Sequence, residues 1–189
     1  MTLAPIVIAY FTGSGHTARL AEHIADGMSG EPAMVDVKTM DAGHWDALDA
    51  APAILFGTPT YMGSAAAQFS AFLEDASSRW MEFGWMDKMA GGFTVATSPS
   101  GDKLAALQRL SIFAAQMGMV WVGPSEIGAP ADPSKPGINR DGSWLGLMAT
   151  SSHDKALLID PDDTESARRF GARFEAAVRR WEKGAEPTG

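Results

Sequence analysis

Ile6-Val-Ile-Ala-Tyr-Phe-Thr-Gly-Ser-Gly-His-Thr17 joins two signals in one short stretch. Ile6 to Phe11 is a continuous apolar run rich in β-branched and aromatic side chains, the pattern of a strand buried on both faces. Small and hydroxyl residues follow at once, and then Leu20, Ala21, Ile24, Ala25 and Met28 recur at helical spacing with Gly30 as the stop. The opening is therefore strand, tight loop, helix. A helix N-terminus presents unpaired backbone N–H groups and the positive end of the helix dipole, which together hold a phosphate. Gly13 and Gly15 let the backbone curl close to an anion. Thr12, Ser14 and Thr17 add hydroxyl donors without adding charge, each bond contributing about 1 kcal/mol.

Moving outward, the alternation continues. Met34-Val-Asp-Val37 reads as a second strand and Ala53-Ile-Leu-Phe56 as a third, with a polar stretch and a turn at Asp46 to Asp49 between them. A helix from Ala66 to Asp75 follows, with Phe69, Phe72 and Leu73 inward. Gly92 to Ala96 is a fourth strand, Leu104 to Met117 a helix, and Met119 to Val122 a fifth strand. Strands alternating with helices imply parallel βαβ units. Gly123 to about Asp163 is dense in glycine and proline and reads as one long loop of the kind that is usually functional or oligomeric. A last helix buries Ala167, Phe170, Phe174, Val178 and Trp181, and Asp162 with Glu165 forms a capping box for it.

Composition narrows the chemistry. The 189 residues suit one domain that includes the Gly/Pro-rich loop 123–163, and 46% hydrophobic with 20% charged residues is a globular balance. There is no cysteine, which excludes disulfides, thiolate catalysis and iron–sulfur clusters, so redox chemistry needs a borrowed cofactor. A net charge of -8 argues against a nucleic-acid partner, and Arg168, Arg169, Arg173, Arg179 and Arg180 are interleaved with Glu165, Glu175 and Glu182 as on a solvated helix face. No apolar run is long enough for a membrane span. Met-Thr-Leu-Ala-Pro5 leads into the first strand without a signal-type segment, and a cytoplasmic protein is expected. His23, His44 and His153 lack metal-ligand spacing, so no metal is expected.

Three phosphate loops compete for Thr12 to Thr17. A Walker A loop needs a lysine before its Ser or Thr, and His16 stands there. The dinucleotide fingerprint is formally matched by Gly13, Gly15 and Ala18, with Asp36 near the place of a ribose-binding acid. The number of hydroxyls in the turn, and a second loop after the third strand, favour flavin mononucleotide (FMN). In a parallel sheet the loops after strands one, three and four converge on one crevice. Those loops are Thr12 to Thr17, Gly57-Thr-Pro-Thr-Tyr-Met-Gly-Ser64 and Thr97-Ser-Pro-Ser-Gly-Asp102.

The first of these resembles the flavodoxin phosphate turn. With Gly57 to Gly63, Ala66 to Leu73 and Gly118-Met-Val-Trp-Val-Gly123, and more weakly Asn139 to Met148, the chain is similar to the WrbA-type NAD(P)H:quinone oxidoreductases. That resemblance implies an α/β flavodoxin-like three-layer sandwich, with a five-stranded parallel sheet of order 2-1-3-4-5 and helices on both faces. It also implies FMN, NADH or NADPH as electron donor, a quinone-like acceptor and a homo-oligomer, dimer or tetramer. By position, Thr12, Gly13, Ser14, Gly15, His16 and Thr17 would hold the phosphate. Pro59, Thr60, Tyr61, Met62 and Gly63 would line the isoalloxazine edge, and Thr97, Ser98, Pro99, Gly101 and Asp102 would close its pyrimidine side. Trp80, Gln116 and Met117 are assigned to the substrate pocket, and Trp80, Phe83 and Trp85 either to a segment that reaches a neighbouring subunit's flavin or to plain core or interface packing. Two departures leave the acceptor open: Gln116-Met117 stands where family members often carry a histidine, and Pro99 to Lys103 replaces a His-Gly-Gly stretch. The flavin carries the chemistry, so no catalytic side chain is assigned. The alternatives are an FMN-bearing electron carrier and a small dinucleotide-binding protein.

Overall fold

In the computed structural model, which describes residues 4–184, the N-terminal apolar run is strand β1 (Val7–Tyr10). Its side chains alternate between two cores, with Val7 and Ala9 on one face and Ile8 on the other. Strands β2 (Ala33–Asp36) and β3 (Ala53–Tyr61) flank it in parallel, and Ala9 pairs with Val35 on one side and Phe56 on the other. Burial on both faces is why β1 and the first half of β3 are apolar without alternation, whereas β2, at the sheet edge, buries only Val35.

Helix α1 (His16–Ala25) connects β1 to β2, and α2 (Ala42–Ala50) connects β2 to β3. The second crossover corrects the expected turn at Asp46 to Asp49, which is helical. A parallel crossover needs a covering element, but α2 buries only Leu48 and so carries little periodic signal. Asp41 starts it, accepting from the His44 amide at 2.9 Å. Past β3 come the two-residue strand β4 (Ser64–Ala65), helices α3 (Ala67–Asp75) and α4 (Ser77–Met81), and strand β5 (Met89–Ala96). Helix α5 (Lys103–Gln116) leads to β6 (Val120–Trp121). With the hairpin strand β4 set aside, the order β2-β1-β3-β5-β6 is the expected 2-1-3-4-5 order. Helices α2, α3 and α5 supply Leu48, Phe69, Phe72 and Phe113 to one core, while α1 supplies Leu20 and Ile24 to the other. This is the flavodoxin-like three-layer architecture.

One stretch differs from its sequence reading. Residues 123–163 are not one loop, because strand β7 (Leu147–Thr150) lies within them and helix α6 (Pro161–Gly184) has already begun at their end. Both β6 and β7 run parallel to β5: Met89 and Ala90 pair with Val120 and Trp121, while Phe93 to Ala96 pair with Leu147 to Thr150. The fifth strand position is thus split, and residues 122–146 are an insertion between its halves. Helix α6 is capped by Asp160, which accepts from the Asp162 amide at 3.1 Å. Pro161 takes the first helical position, where its missing N–H costs nothing. The expected Asp162/Glu165 capping box does not form, and Glu165 pairs with Arg169 instead.

Candidate functional site

The C-terminal ends of β1, β3, β5 and β7 meet at one edge of the sheet and enclose a recess of about 180 Å³. Thr12, Gly13, Ser14, His16, Thr17, Pro59, Thr60, Tyr61 and Thr97 all line it. Gly15 lies beneath the recess as the N-cap of α1. Its φ of +92° is a left-handed conformation that L side chains rarely adopt, and no side chain caps the helix. The N–H groups of His16, Thr17 and Ala18 consequently have no partner among the described residues. The Thr12 hydroxyl is partly committed, since Thr12 Oγ1 accepts from the Gly15 amide at 3.0 Å. Its proton stays free to donate outward.

Thr17 is the informative residue. Its side chain is 1% exposed and its Oγ1 has no hydrogen-bond partner. A buried hydroxyl without a partner costs roughly 1–3 kcal/mol, a cost that a ligand oxygen reaching it would relieve. No carboxylate lines this recess, although the chain as a whole is acidic. Free helix amides, an orphaned hydroxyl and the absence of competing negative charge fit a phosphate monoester of the kind FMN carries. His16 is partly buried, and this burial, followed by the charge of Lys155, holds its pKa below the ordinary value, favouring the neutral imidazole.

The second loop is a continuation of β3. Gly57 to Tyr61 were read as loop but are strand, and Thr58 and Pro59 pair with Thr94 and Val95. Thr58 Oγ1 accepts from the Ala66 amide at 3.0 Å, and the hydroxyls of Thr60 and Thr94 lie 2.8 Å apart. β3 and β4 then form a hairpin whose two turn residues, Met62 (φ +49°) and Gly63 (φ +78°), are both left-handed. A methionine with this backbone and a fully exposed side chain is strained and out of place by burial. Tyr61 leans back across the first loop. A Cβ on Gly13 would fall on its hydroxyl, at 2.2 Å, so the first loop accepts only glycine there while the ring stays in place.

The third loop divides. Thr97 faces the recess, while Pro99 and Asp102 line a neighbouring hollow with Trp144, and Ser98 is exposed on the rim. Gly101 and Asp102 are left-handed (φ +50° and +54°) and turn the chain into α5. Ser151, which the sequence reading missed, joins the recess from the end of β7, its amide donating to Ala96 O at 2.9 Å. The run Leu147-Met-Ala-Thr150 was the available signal, hidden among glycines and prolines.

Trp80, Gln116 and Met117 are not brought to the recess within the chain. A crossover helix in a parallel sheet starts at the crevice and ends at the opposite edge, and both α4 and the C-terminus of α5 lie at that far edge. Met117 is 4% exposed in the core with Phe113 and Trp85, Gln116 is exposed, and Trp80 and Phe83 face outward. Asp36, the ribose acid of the dinucleotide alternative, accepts from the Lys38 amide at 3.0 Å as the cap of a short turn. Among the described residues, no cluster of His, Asp and Glu could hold a metal, and no helix is long and apolar enough to cross a membrane.

Behind the third loop sits a buried charge network. The ammonium of Lys103, fully buried, bonds to the Asp141 carboxylate and to Ala149 O at 3.1 Å. Asp163 Oδ2 accepts from the Thr150 amide at 2.7 Å and from Arg140 at 3.1 Å. Burial pushes the Asp163 carboxyl up to about 6 against these donors. Because the folded value lies above the unfolded one, folding favours the protonated form. The contribution is fully present below about pH 4 and is lost as pH rises to about 6. Asp163→Asn should remove that dependence. The stability difference between variant and wild type, from urea denaturation at pH 4.5 and 7, is expected to change by about 2 kcal/mol in favour of the variant at pH 7. A constant difference would contradict it.

Comparison with known proteins agrees with this geometry. Residues 16–133 match the NADPH-dependent FMN reductase family. Flavodoxin FldP of Pseudomonas aeruginosa is 37% identical over 90% of this chain and 95% of its own length. The NAD(P)H dehydrogenase (quinone) of Cupriavidus metallidurans is 30% identical over 64% of this chain and 71% of its own. The solved structure of the flavodoxin, WrbA-like protein from Agrobacterium tumefaciens superposes with a TM-score of 0.75 at 36% identity, covering 94% of this chain and 98% of that one. A phosphate-shaped loop, a parallel sheet of this order and these relatives lead to one statement: the chain belongs to the NADPH-dependent FMN reductase family and is WrbA-like within it.

Proposed function

We propose that this protein binds FMN at the crevice and uses it to pass two electrons from NADH or NADPH to a quinone or similar small acceptor. The observation that carries the reading is the carboxylate-free recess with its orphaned Thr17 hydroxyl, in a chain related to quinone dehydrogenases. On this reading Thr12, Gly13, Ser14, Gly15, His16 and Thr17 hold the phosphate. Pro59, Thr60, Tyr61, Met62 and Gly63 border the ring, and Thr97, Ser98, Pro99, Gly101 and Asp102 close its pyrimidine side. When bound, FMN supplies the capacity to accept an electron pair from one partner and release it to another. The chain's own part is to seat the phosphate on the free amides of α1 and to place the strained Met62 turn at the mouth. It needs no acid or base side chain, and none is assigned. We propose further that the chain works as one domain within a homo-oligomer, which could bring the exposed Trp80 and Phe83 to a neighbour.

A second reading is favoured by one observation, the 37% identity to a flavodoxin across nearly the whole chain. An electron carrier would use the same FMN site without a nicotinamide step. Anaerobic mixing of the FMN-loaded protein with NADH or NADPH separates the two. Bleaching of the flavin absorbance within seconds, followed by reoxidation on adding a soluble benzoquinone, is expected for the enzyme. No bleaching by either nucleotide, with full reduction by dithionite, would leave the carrier.

A further inference from the structure

The loop Thr12 to Thr17 contains no lysine or arginine, but the hairpin that packs against it carries Lys155. Between β7 and α6 the chain turns back as a narrow hairpin: Ser152 N donates to Leu158 O at 2.9 Å, and Ser151 bridges Ile159 in antiparallel fashion. This hairpin leans over the start of α1. The Leu158 δ1 methyl lies 3.3 Å from where a Cβ on Gly15 would be, and Ser151 at the hairpin's foot lines the same recess as Thr17. Leu158 holds a left-handed backbone, φ +64°, to point there. At the exposed tip, Asp154 is occupied locally, its Oδ1 accepting from the Ala156 amide at 2.8 Å. Lys155 is exposed and joins none of the ion pairs among the described residues.

We propose that residues 152–158 are a cap on the loop Thr12 to Thr17, with the Lys155 ammonium supplying the counter-charge that a phosphate monoester there otherwise lacks. Three observations meet here. The buried Thr17 hydroxyl has no partner, the recess holds no carboxylate, and the hairpin is packed against the loop through Leu158 and joined to the sheet through Ser151 and Asp160 at its foot. Burial, and after it the charge of Lys155, lowers the His16 pKa, in keeping with a lysine on the hairpin beside the loop. Helix amides alone present partial charges, whereas an ammonium above them supplies a full one, and its interaction with a dianion is screened by salt. The proposal rests on the FMN reading and adds to it a residue outside the loop motif.

The test compares FMN with riboflavin, which carries the same ring without the phosphate, by titrating apoprotein and following quenching of flavin fluorescence. Lys155→Glu is expected to weaken FMN about tenfold at low salt and only about twofold near 0.5 M NaCl, leaving riboflavin unchanged. Lys155→Ala should fall between the variant and wild type. FMN affinity unaltered in both variants, or both ligands weakened equally, would overturn the cap while leaving FMN binding in place. A wild-type protein that fails to bind FMN overturns the cap and the reading beneath it together.

Discussion

Gly15→Val is expected to weaken FMN binding at least 100-fold while leaving the parallel sheet folded. Gly15 is the N-cap of α1 at φ +92°, a region a β-branched residue enters only at a cost of roughly 1–3 kcal/mol. Two outcomes are open to the variant, and both spoil the phosphate seat. If the backbone holds, the valine side chain presses on Leu158, whose methyl is 3.3 Å from the Cβ position. If the backbone relaxes, the Gly15 amide leaves Thr12 Oγ1 and the free N–H groups of His16 and Thr17 turn away from the recess. The sheet survives because α1 is anchored elsewhere, by Leu20, Ala21 and Ile24 packed against α6. Fluorescence titration with FMN measures the loss and far-UV circular dichroism the fold. A variant that binds within threefold of wild type would remove Thr12 to Thr17 as the phosphate site.

Lys103→Met is expected to destabilise the protein by about 3–5 kcal/mol. The substitution keeps most of the apolar stem and deletes the charge, leaving the Asp141 carboxylate, only 8% exposed, without its partner. It also removes the bond from Lys103 to Ala149 O in β7, while loss of the bond to Asp141 takes away the insertion's tie to α5. The double variant Lys103→Met with Asp141→Leu removes both charges and should recover most of the loss, since an apolar pair of similar volume carries no desolvation penalty. Guanidinium denaturation midpoints of the three proteins test this. A single variant as stable as wild type would mean that the pair contributes nothing to holding the insertion in place.

Much of the architecture was legible because it rests on short-range patterns. β1 announces itself by six consecutive apolar residues, and α1, α3 and α5 by inward residues at helical spacing. Where a pattern is weak the reading slipped. Helix α2 buries one residue and looked like a turn, and β7 is four residues long inside a glycine- and proline-rich stretch. Gly57 to Tyr61 look like a loop by composition, yet pairing with β5 makes them strand. Asp160 and Asp162, residues of a type that caps helices, stand two positions apart, and backbone geometry makes Asp160 the acceptor.

The candidate site divides along the same line. Glycines and hydroxyls at Thr12 to Thr17 are legible by themselves as a turn suited to an anion, because residue type dictates both φ freedom and donor supply. The convergence of the loops after β1, β3 and β5 also follows from parallel strand order alone. Tertiary structure decided what no spacing encodes: that Tyr61 covers Gly13, that Thr17 Oγ1 is buried without a partner, that Ser151 comes in from the far side of a split strand, and that Gln116 and Met117 end at the opposite edge. Local sequence sets backbone conformation and periodicity over a few residues. Contacts between residues more than a hundred positions apart exist only once the sheet has brought their loops to one edge.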